Sequence, residues 1–165
     1  MSGGEVGAKN GSLSLMVGGN KFYFNQIKST LQLYSKSLIY MGKSGSGQLA
    51  KMVNQICVAT VIQGLAEGLN FAKKKRINID NLVEVISNGA AQSWQLENRA
   101  KTMCKNKFNF GFMNKLMLKD LNLIFDEIKG TNIELPITKR IKTKYKDLIK
   151  LGYENEDTSN LIRLL

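Results

Sequence analysis

The sequence predicts a mainly α domain built around one long buried helix, led by a small β-containing segment. Three observations carry this. From Gln48 to Lys75 the chain has no proline and few charges, and its apolar residues run in helical register. Beyond it, apolar residues recur at helical spacing in further stretches separated by glycines and the single proline, Pro136. Only the first forty or so residues hold short strand-like runs.

Composition sets the frame. The 165 residues, 43% hydrophobic and 22% charged, suit one globular domain with a real core. One proline, two cysteines and no glycine period exclude collagen-like and disulfide-stapled scaffolds. A membrane span needs roughly 18 uncharged apolar residues. The longest uncharged run, Met52 to Ala66, is shorter and includes Asn54, Gln55, Thr60 and Gln63. The first residues lack the basic and apolar regions of a secretory signal. A soluble protein of the cytoplasm or an organelle matrix is expected.

Element by element, Leu13 to Val17 alternates like a strand among glycines. Asn20 to Lys36 reads as a helix through Phe24, Ile27, Leu31 and Tyr34, and Leu38 to Met41 as a second short strand. The Gly-rich turn from Gly42 to Gly47 opens the long helix, about 42 Å at about 1.5 Å per residue. Its middle is apolar nearly all round, which predicts burial. Asp80 is the expected N-cap of a helix to Ser87, with Gly89 as its stop. Ser93 caps a helix through Arg99 to Met103, and Phe108 to Asn114 is an aromatic loop. Lys115 to Ile128 is a strong helix ended by Gly130. Pro136 sits in the first turn of another, lined by Ile137, Ile141, Tyr145, Leu148 and Ile149. Asp157-Thr158-Ser159 caps a last short helix to Leu165. Residues 1–41 form the β-containing part and residues 42–165 the all-helical part.

Lys plus Arg number 24 against 13 acids, a net charge of +11. The excess is nearly all lysine and follows a bias towards Lys, Asn and Ile. Arg76, Arg99, Arg140 and Arg163 are scattered, as are the aromatics, so the forks and stacking platforms of a nucleic-acid reader are missing. The run Lys73 to Arg76 closes the long helix, where cations suit the dipole. Neither nucleic acid nor membrane is expected as a partner. With no histidine, Ser-His and Cys-His triads and the usual zinc sites are excluded, and acid/base chemistry falls to Lys, Asp, Glu, Tyr or Cys. Cys57 reads as a small core residue, and Cys104, among lysines, as a candidate reactive thiol.

Lys51 is the residue that a purely structural reading explains least. It enters the long helix near its N-terminus, where the dipole disfavours a cation by about 0.3–1 kcal/mol. Burial adds to this, so a lowered lysine pKa suited to a general base is expected. Asn54 and Gln55 share its helix face and could grip a hydroxyl and its neighbours. A snorkelling lysine at a helix edge is the bland alternative. The preceding turn is not a Walker A loop, because Gly47 leads to Gln48-Leu49 rather than Lys-Ser/Thr. Ser2-Gly3-Gly4 is a separate anion candidate, its backbone N–H groups suited to a carboxylate or to an ordinary turn. Lys119-Asp120 reads by itself as an exposed ion pair, and Phe112 as a packed loop aromatic that could wall a pocket.

Together these segments resemble the C-terminal part of the β-hydroxyacid dehydrogenases, in particular the 3-hydroxyisobutyrate dehydrogenase and tartronate semialdehyde reductase group. Ser2-Gly3-Gly4 with Gly11-Ser12-Leu13 and Met16 to Gly19 is similar to the substrate-binding segment. Gly42, Gly45, Gly47, Lys51 and Asn54 are spaced like the catalytic signature. Ser93-Trp94 with Leu96 to Arg99, Phe112 with Leu118 to Leu121, and Asp157-x-Ser159 follow in the family's order. The resemblance implies hydride transfer between NAD or NADP and a small 3-hydroxy acid or its semialdehyde. It implies Lys51 as general acid/base, and Ser2, Gly3, Gly4, Asn54 and Gln55 as substrate-binding. It implies Lys119, Asp120 and Phe112 on the cofactor side, no metal, and a homo-oligomer, dimer or tetramer. Gln55 stands where many members carry Asn; it keeps the amide on a longer arm. The implied fold is that of the 6-phosphogluconate dehydrogenase C-terminal domain, with residues 1–41 a remnant of the dinucleotide-binding domain. The rest of that domain, missing N-terminal to the Ser-Gly-Gly segment, is expected as a partner, the strand at Leu13 to lack sheet neighbours, and the chain alone to be inactive. A helical dimerisation module that has kept the fold is the competing reading, and the 6-phosphogluconate enzyme itself ranks lower, since its pattern places His-Asn where this chain has Asn54-Gln55.

Overall fold

The computed structural model describes all residues from Met1 to Leu165. They fall into two compact units, Met1–Gln55 and Ile56–Leu165.

In the first unit, Ser2 forms an isolated antiparallel bridge with Ser14 before a short helix, α1 (Gly4–Lys9). Two parallel strands follow, β1 (Leu13–Gly18) and β2 (Ser35–Gly42), joined by helix α2 (Lys21–Gln32). Parallel strands need such a crossover, because their ends lie far apart. Asn20 caps α2, its side chain accepting from the Phe22 N–H at 2.8 Å. Leu13, Leu15 and Phe24 are buried. Strand β1 is therefore not left without neighbours: β2 flanks it and Ser2 bridges to it. Helix α1 was not legible, since three of its six residues are Gly or Ala and carry no periodicity.

Helix α3 (Ser46–Lys74) is the long helix; its first ten residues belong to the first unit. Its expected all-round burial is wrong. One stripe, Gln55, Ala59, Ile62, Gln63, Ala66, Leu69 and Ala72, is buried, while Leu49, Val53, Val61 and Phe71 are exposed. Cys57 lies exposed on that second face and is not a core residue. By length and composition α3 could also cross a bilayer, a test that core helices pass too.

The second unit continues with α4 (Ile79–Ile86), α5 (Trp94–Cys104), α6 (Asn114–Glu127), α7 (Pro136–Lys150) and a terminal 3₁₀ helix (Thr158–Leu164). Asn78, not Asp80, caps α4, accepting from the Asn81 N–H at 3.0 Å. Asp80 instead sits in the first turn, where its charge suits the dipole. Ser93 caps α5 and Pro136 opens α7 as expected. Leu96, Ala100 and Met103 of α5, Met117, Leu121 and Ile124 of α6, and Ile141, Tyr145 and Leu148 of α7 form the core with Phe108 and Leu161.

Candidate functional site

Lys51 stands in the second turn of α3, and glycine chemistry seats that helix. Gly42 and Gly45 have φ of 119° and 93°, a region that L side chains avoid. Gly47 is needed for another reason. A Cβ there would lie 2.3 Å from the Met16 carbonyl oxygen, and one on Gly18 would lie 2.7 Å from the Lys43 carbonyl oxygen. Backbone meets backbone where α3 starts against the end of β1. The Gly-rich turn is thus a seat for the helix carrying Lys51.

On that helix Lys51 is half-buried and Gln55 is buried. The Gln55 Oε1 accepts from Lys51 Nζ at 3.0 Å and from Asn54 Nδ2 at 2.8 Å. One carbonyl oxygen thereby gathers the cation and the neighbouring amide. The i,i+4 reach of glutamine is what allows it to do so from the buried stripe.

Ser2, Gly3 and Gly4 belong to the same unit. Both backbone hydrogen bonds of the Ser2–Ser14 bridge are formed, at 2.8 and 2.9 Å. Gly3 and Gly4 then take φ of 128° and 60° and turn the chain into α1. Strand β1 therefore holds both pieces: Ser14 anchors Ser2, and Met16 and Gly18 receive the start of α3. The Met1 amine is held below its ordinary pKa, by burial first and by the positive charge of Lys51 second.

Phe112, Lys119 and Asp120 lie in the second unit. Phe112 is half-buried in the loop before α6. Lys119 Nζ lies 3.2 Å from Asp120 Oδ1; the lysine side chain is exposed and the aspartate largely covered. Cys104 is half-buried, and burial raises its pKa more than nearby Lys73 lowers it, so the expected reactive thiol is disfavoured.

A network centred on Asp157 was not foreseen beyond its capping role. Asp157 is 2% exposed. Its carboxylate accepts from the Phe112 N–H at 2.9 Å and from the Ser159 N–H and hydroxyl at 3.1 and 2.5 Å. Arg99 Nε lies 3.2 Å away, its guanidinium stacked between the rings of Trp94 and Phe110. The signal in the sequence was a helix cap; its loop partners are 45 residues away.

A chain with this helical architecture and a lysine-bearing, glycine-seated helix falls among the hydroxyacid dehydrogenases. Residues 45–165 match the family described as NAD-binding of NADP-dependent 3-hydroxyisobutyrate dehydrogenase, and residues 1–42 match the NAD-binding domain of 6-phosphogluconate dehydrogenase. The chain belongs to the 3-hydroxyisobutyrate dehydrogenase family, and its cofactor class is NAD(P). It is 44% identical over its full length to an uncharacterized oxidoreductase of Shewanella frigidimarina, covering 57% of that protein. It is 36% identical over its full length to the 2-hydroxy-3-oxopropionate reductase of Escherichia coli, covering 56% of it. Among solved structures, the 3-hydroxyisobutyrate dehydrogenase of Mycobacterium tuberculosis with L-serine superposes with a TM-score of 0.88 at 26% identity, over 99% of this chain and 58% of that one. The chain thus spans a little over half the length of these relatives.

Proposed function

We propose that this chain is the catalytic and dimerisation part of an NAD(P)-dependent 3-hydroxyacid dehydrogenase, acting on a small 3-hydroxy acid or its semialdehyde. The observation that carries this is that one strand, β1, holds both the Ser2-Gly3-Gly4 segment and the start of the helix bearing Lys51, Asn54 and Gln55. Residues 1–41 are read as the C-terminal part of a dinucleotide-binding domain. Residues 42–165 are read as the helical substrate and dimerisation domain, of the 6-phosphogluconate dehydrogenase C-terminal type. The family matches at 1–42 and 45–165 support that division.

Gly3 and Gly4 are exposed, and their N–H groups with the Ser2 hydroxyl suit a carboxylate, the Ser2 N–H being used in the bridge to Ser14. In the oxidative direction Lys51, as the free amine, takes the proton of the substrate hydroxyl while hydride leaves the same carbon. In the reductive direction the Lys51 ammonium donates to the carbonyl oxygen. Asn54 orients that oxygen, and Gln55 holds Lys51 and Asn54 in mutual register. The nicotinamide, when bound, supplies or accepts the hydride. Phe112 and Lys119 would help to hold the cofactor, with Asp120 steadying the Lys119 ammonium.

The exposed apolar face of α3, with Leu49, Val53, Val61 and Phe71, suits the homo-oligomer expected of this reading. Two unpaired cysteines agree with a reducing compartment, the cytoplasm or an organelle matrix.

The test uses the protein from its complete reading frame, with NAD(P)H absorbance followed on 3-hydroxyisobutyrate, glycerate, 4-hydroxybutyrate and 3-hydroxypropionate or their aldehydes. Turnover of one of them, with kcat roughly a thousandfold lower in a folded Lys51→Ala variant, is the expected result. Equal inertness of both folded proteins would remove the catalytic reading and leave the dimerisation module.

A further inference from the structure

We infer that Asp157 is a positioning residue for the cofactor side of the site, acting through the loop that carries Phe112 and through the start of α6. The inference rests on the reading of Phe112 and Lys119 as cofactor-side groups.

A helix cap needs one acceptor and one or two donors. Asp157 has four donors on its two oxygens. The Phe112 N–H points at Oδ2. The Ser159 N–H and hydroxyl point at Oδ1, and Arg99 Nε lies against the same oxygen. The surrounding backbone adds to the grip. The Asp157 N–H donates to the Phe108 carbonyl at 2.9 Å and the Thr158 N–H to the Phe112 carbonyl at 2.8 Å. Phe112 is thus held on both its amide and its carbonyl by two consecutive residues from the far end of the chain.

Gly111 shows how tight the contact is. It has φ of 75°, and a Cβ there would fall 2.0 Å from Asp157 Oδ2. Only glycine lets the loop close on the carboxylate. The next residues extend the same hold to α6. The Asn114 N–H donates to the Glu156 carbonyl and the Lys115 N–H to the Glu154 carbonyl, at 2.9 and 3.1 Å. The buried Asn114 side chain donates to the Tyr153 carbonyl and to Asn160. These bonds cap the helix start that the Met113 side chain leaves uncapped. Lys119 follows on that helix, so Phe112 and Lys119 take their places from one segment, residues 153–160.

Charge is the essential property of Asp157. A carboxylate only accepts, whereas an asparagine amide must turn two N–H groups towards one of its sides. All the neighbours of Asp157 are donors, so Asp157→Asn faces a donor with a donor whichever way it is turned. Gly111→Ala attacks the same contact from the loop and leaves the carboxylate intact.

The experiment measures both variants in the protein from the complete reading frame, alongside exchange of the Phe112 amide hydrogen. Expected for both are a KM for NAD(P)H raised about tenfold, the scale of one lost charge-assisted hydrogen bond, kcat per folded protein within about threefold, and faster exchange at Phe112. Should either variant lower thermal stability while KM for NAD(P)H stays at the wild-type value, Asp157 is structural only and the inference is overturned. A wild-type protein that neither binds nor turns over NAD(P)H overturns the functional reading itself, and the positioning role with it. A wild type that works normally beside variants of unchanged KM removes the positioning role alone.

Discussion

Two helix starts in this molecule are held by opposite means. Helix α3, which brings Lys51, is seated by backbone: Gly47 lies against the Met16 carbonyl and Gly18 against the Lys43 carbonyl, with no side chain between them. Helix α6, which brings Lys119, is seated by side chains and caps: Asp157, Asn114 and Asn160 form a buried polar network around the loop before it. The first device depends on the absence of atoms and the second on buried donors meeting the acceptors placed for them. A backbone seat has no rotamers to lose and tolerates no addition. A buried polar network tolerates reshaping badly too, but fails through an unpaired charge rather than a collision.

The largest expected effect is Gly47→Ala, which places a methyl group on a carbonyl oxygen that cannot move without β1. A loss of about 3 kcal/mol in urea unfolding is expected. Gly45→Ala sharpens the contrast, because only open space surrounds that Cβ and the cost is the left-handed φ alone, about 1 kcal/mol. Equal losses at the two positions would show that close approach does not seat α3.

On the side-chain device, Tyr145 is the next lever. Fully buried, it donates its hydroxyl to the Thr158 carbonyl at 3.1 Å, beside Asp157. Tyr145→Phe removes that bond and should cost about 1 kcal/mol at neutral pH. Burial first, and the Asp157 charge second, push the Tyr145 phenol well above its usual value. The folded state therefore keeps this proton when the unfolded chain has lost it. This contribution is complete below the unfolded value, about 10, and is lost as pH rises above it. The wild type should lose stability faster than Tyr145→Phe above that pH, and parallel alkaline unfolding curves would refute the assignment.

The smallest effect concerns thiols. Cys57 is exposed on the apolar face of α3, whereas burial disfavours the Cys104 thiolate. Limited alkylation followed by peptide mapping should label Cys57 first. If α3 pairs with a second copy, that labelling should slow as protein concentration rises; labelling independent of concentration counts against the α3 interface.

Much of this was legible in the sequence for local reasons. Asn20 stands before an amphipathic run, Ser93 three residues before Leu96, and Pro136 at a helix start; each acts through atoms a few residues away. The Lys51, Asn54 and Gln55 cluster was readable because helical spacing puts them on neighbouring faces. Burial of α3 was misjudged because an apolar residue states only what a surface can join. Which of its faces found a partner within this chain depended on elements far along it. Asp80 lost its cap to Asn78 because both suit the role and the turn geometry chose between them.

By itself the sequence determined the helical class, the order of the elements after the short first helix, the lysine-based acid/base option in a chain without histidine, and the family. The helical class and the lysine option follow from periodicity, composition and short spacings; the family follows from the resemblance of five ordered motifs. Tertiary structure alone decided that β1 would hold both Ser2 and the α3 seat, that Asp157 would close on Phe112, and that half of α3 would stay exposed. These depend on contacts between residues 12 to 45 apart, and the closure of a chain over such distances leaves no mark on the residues in between.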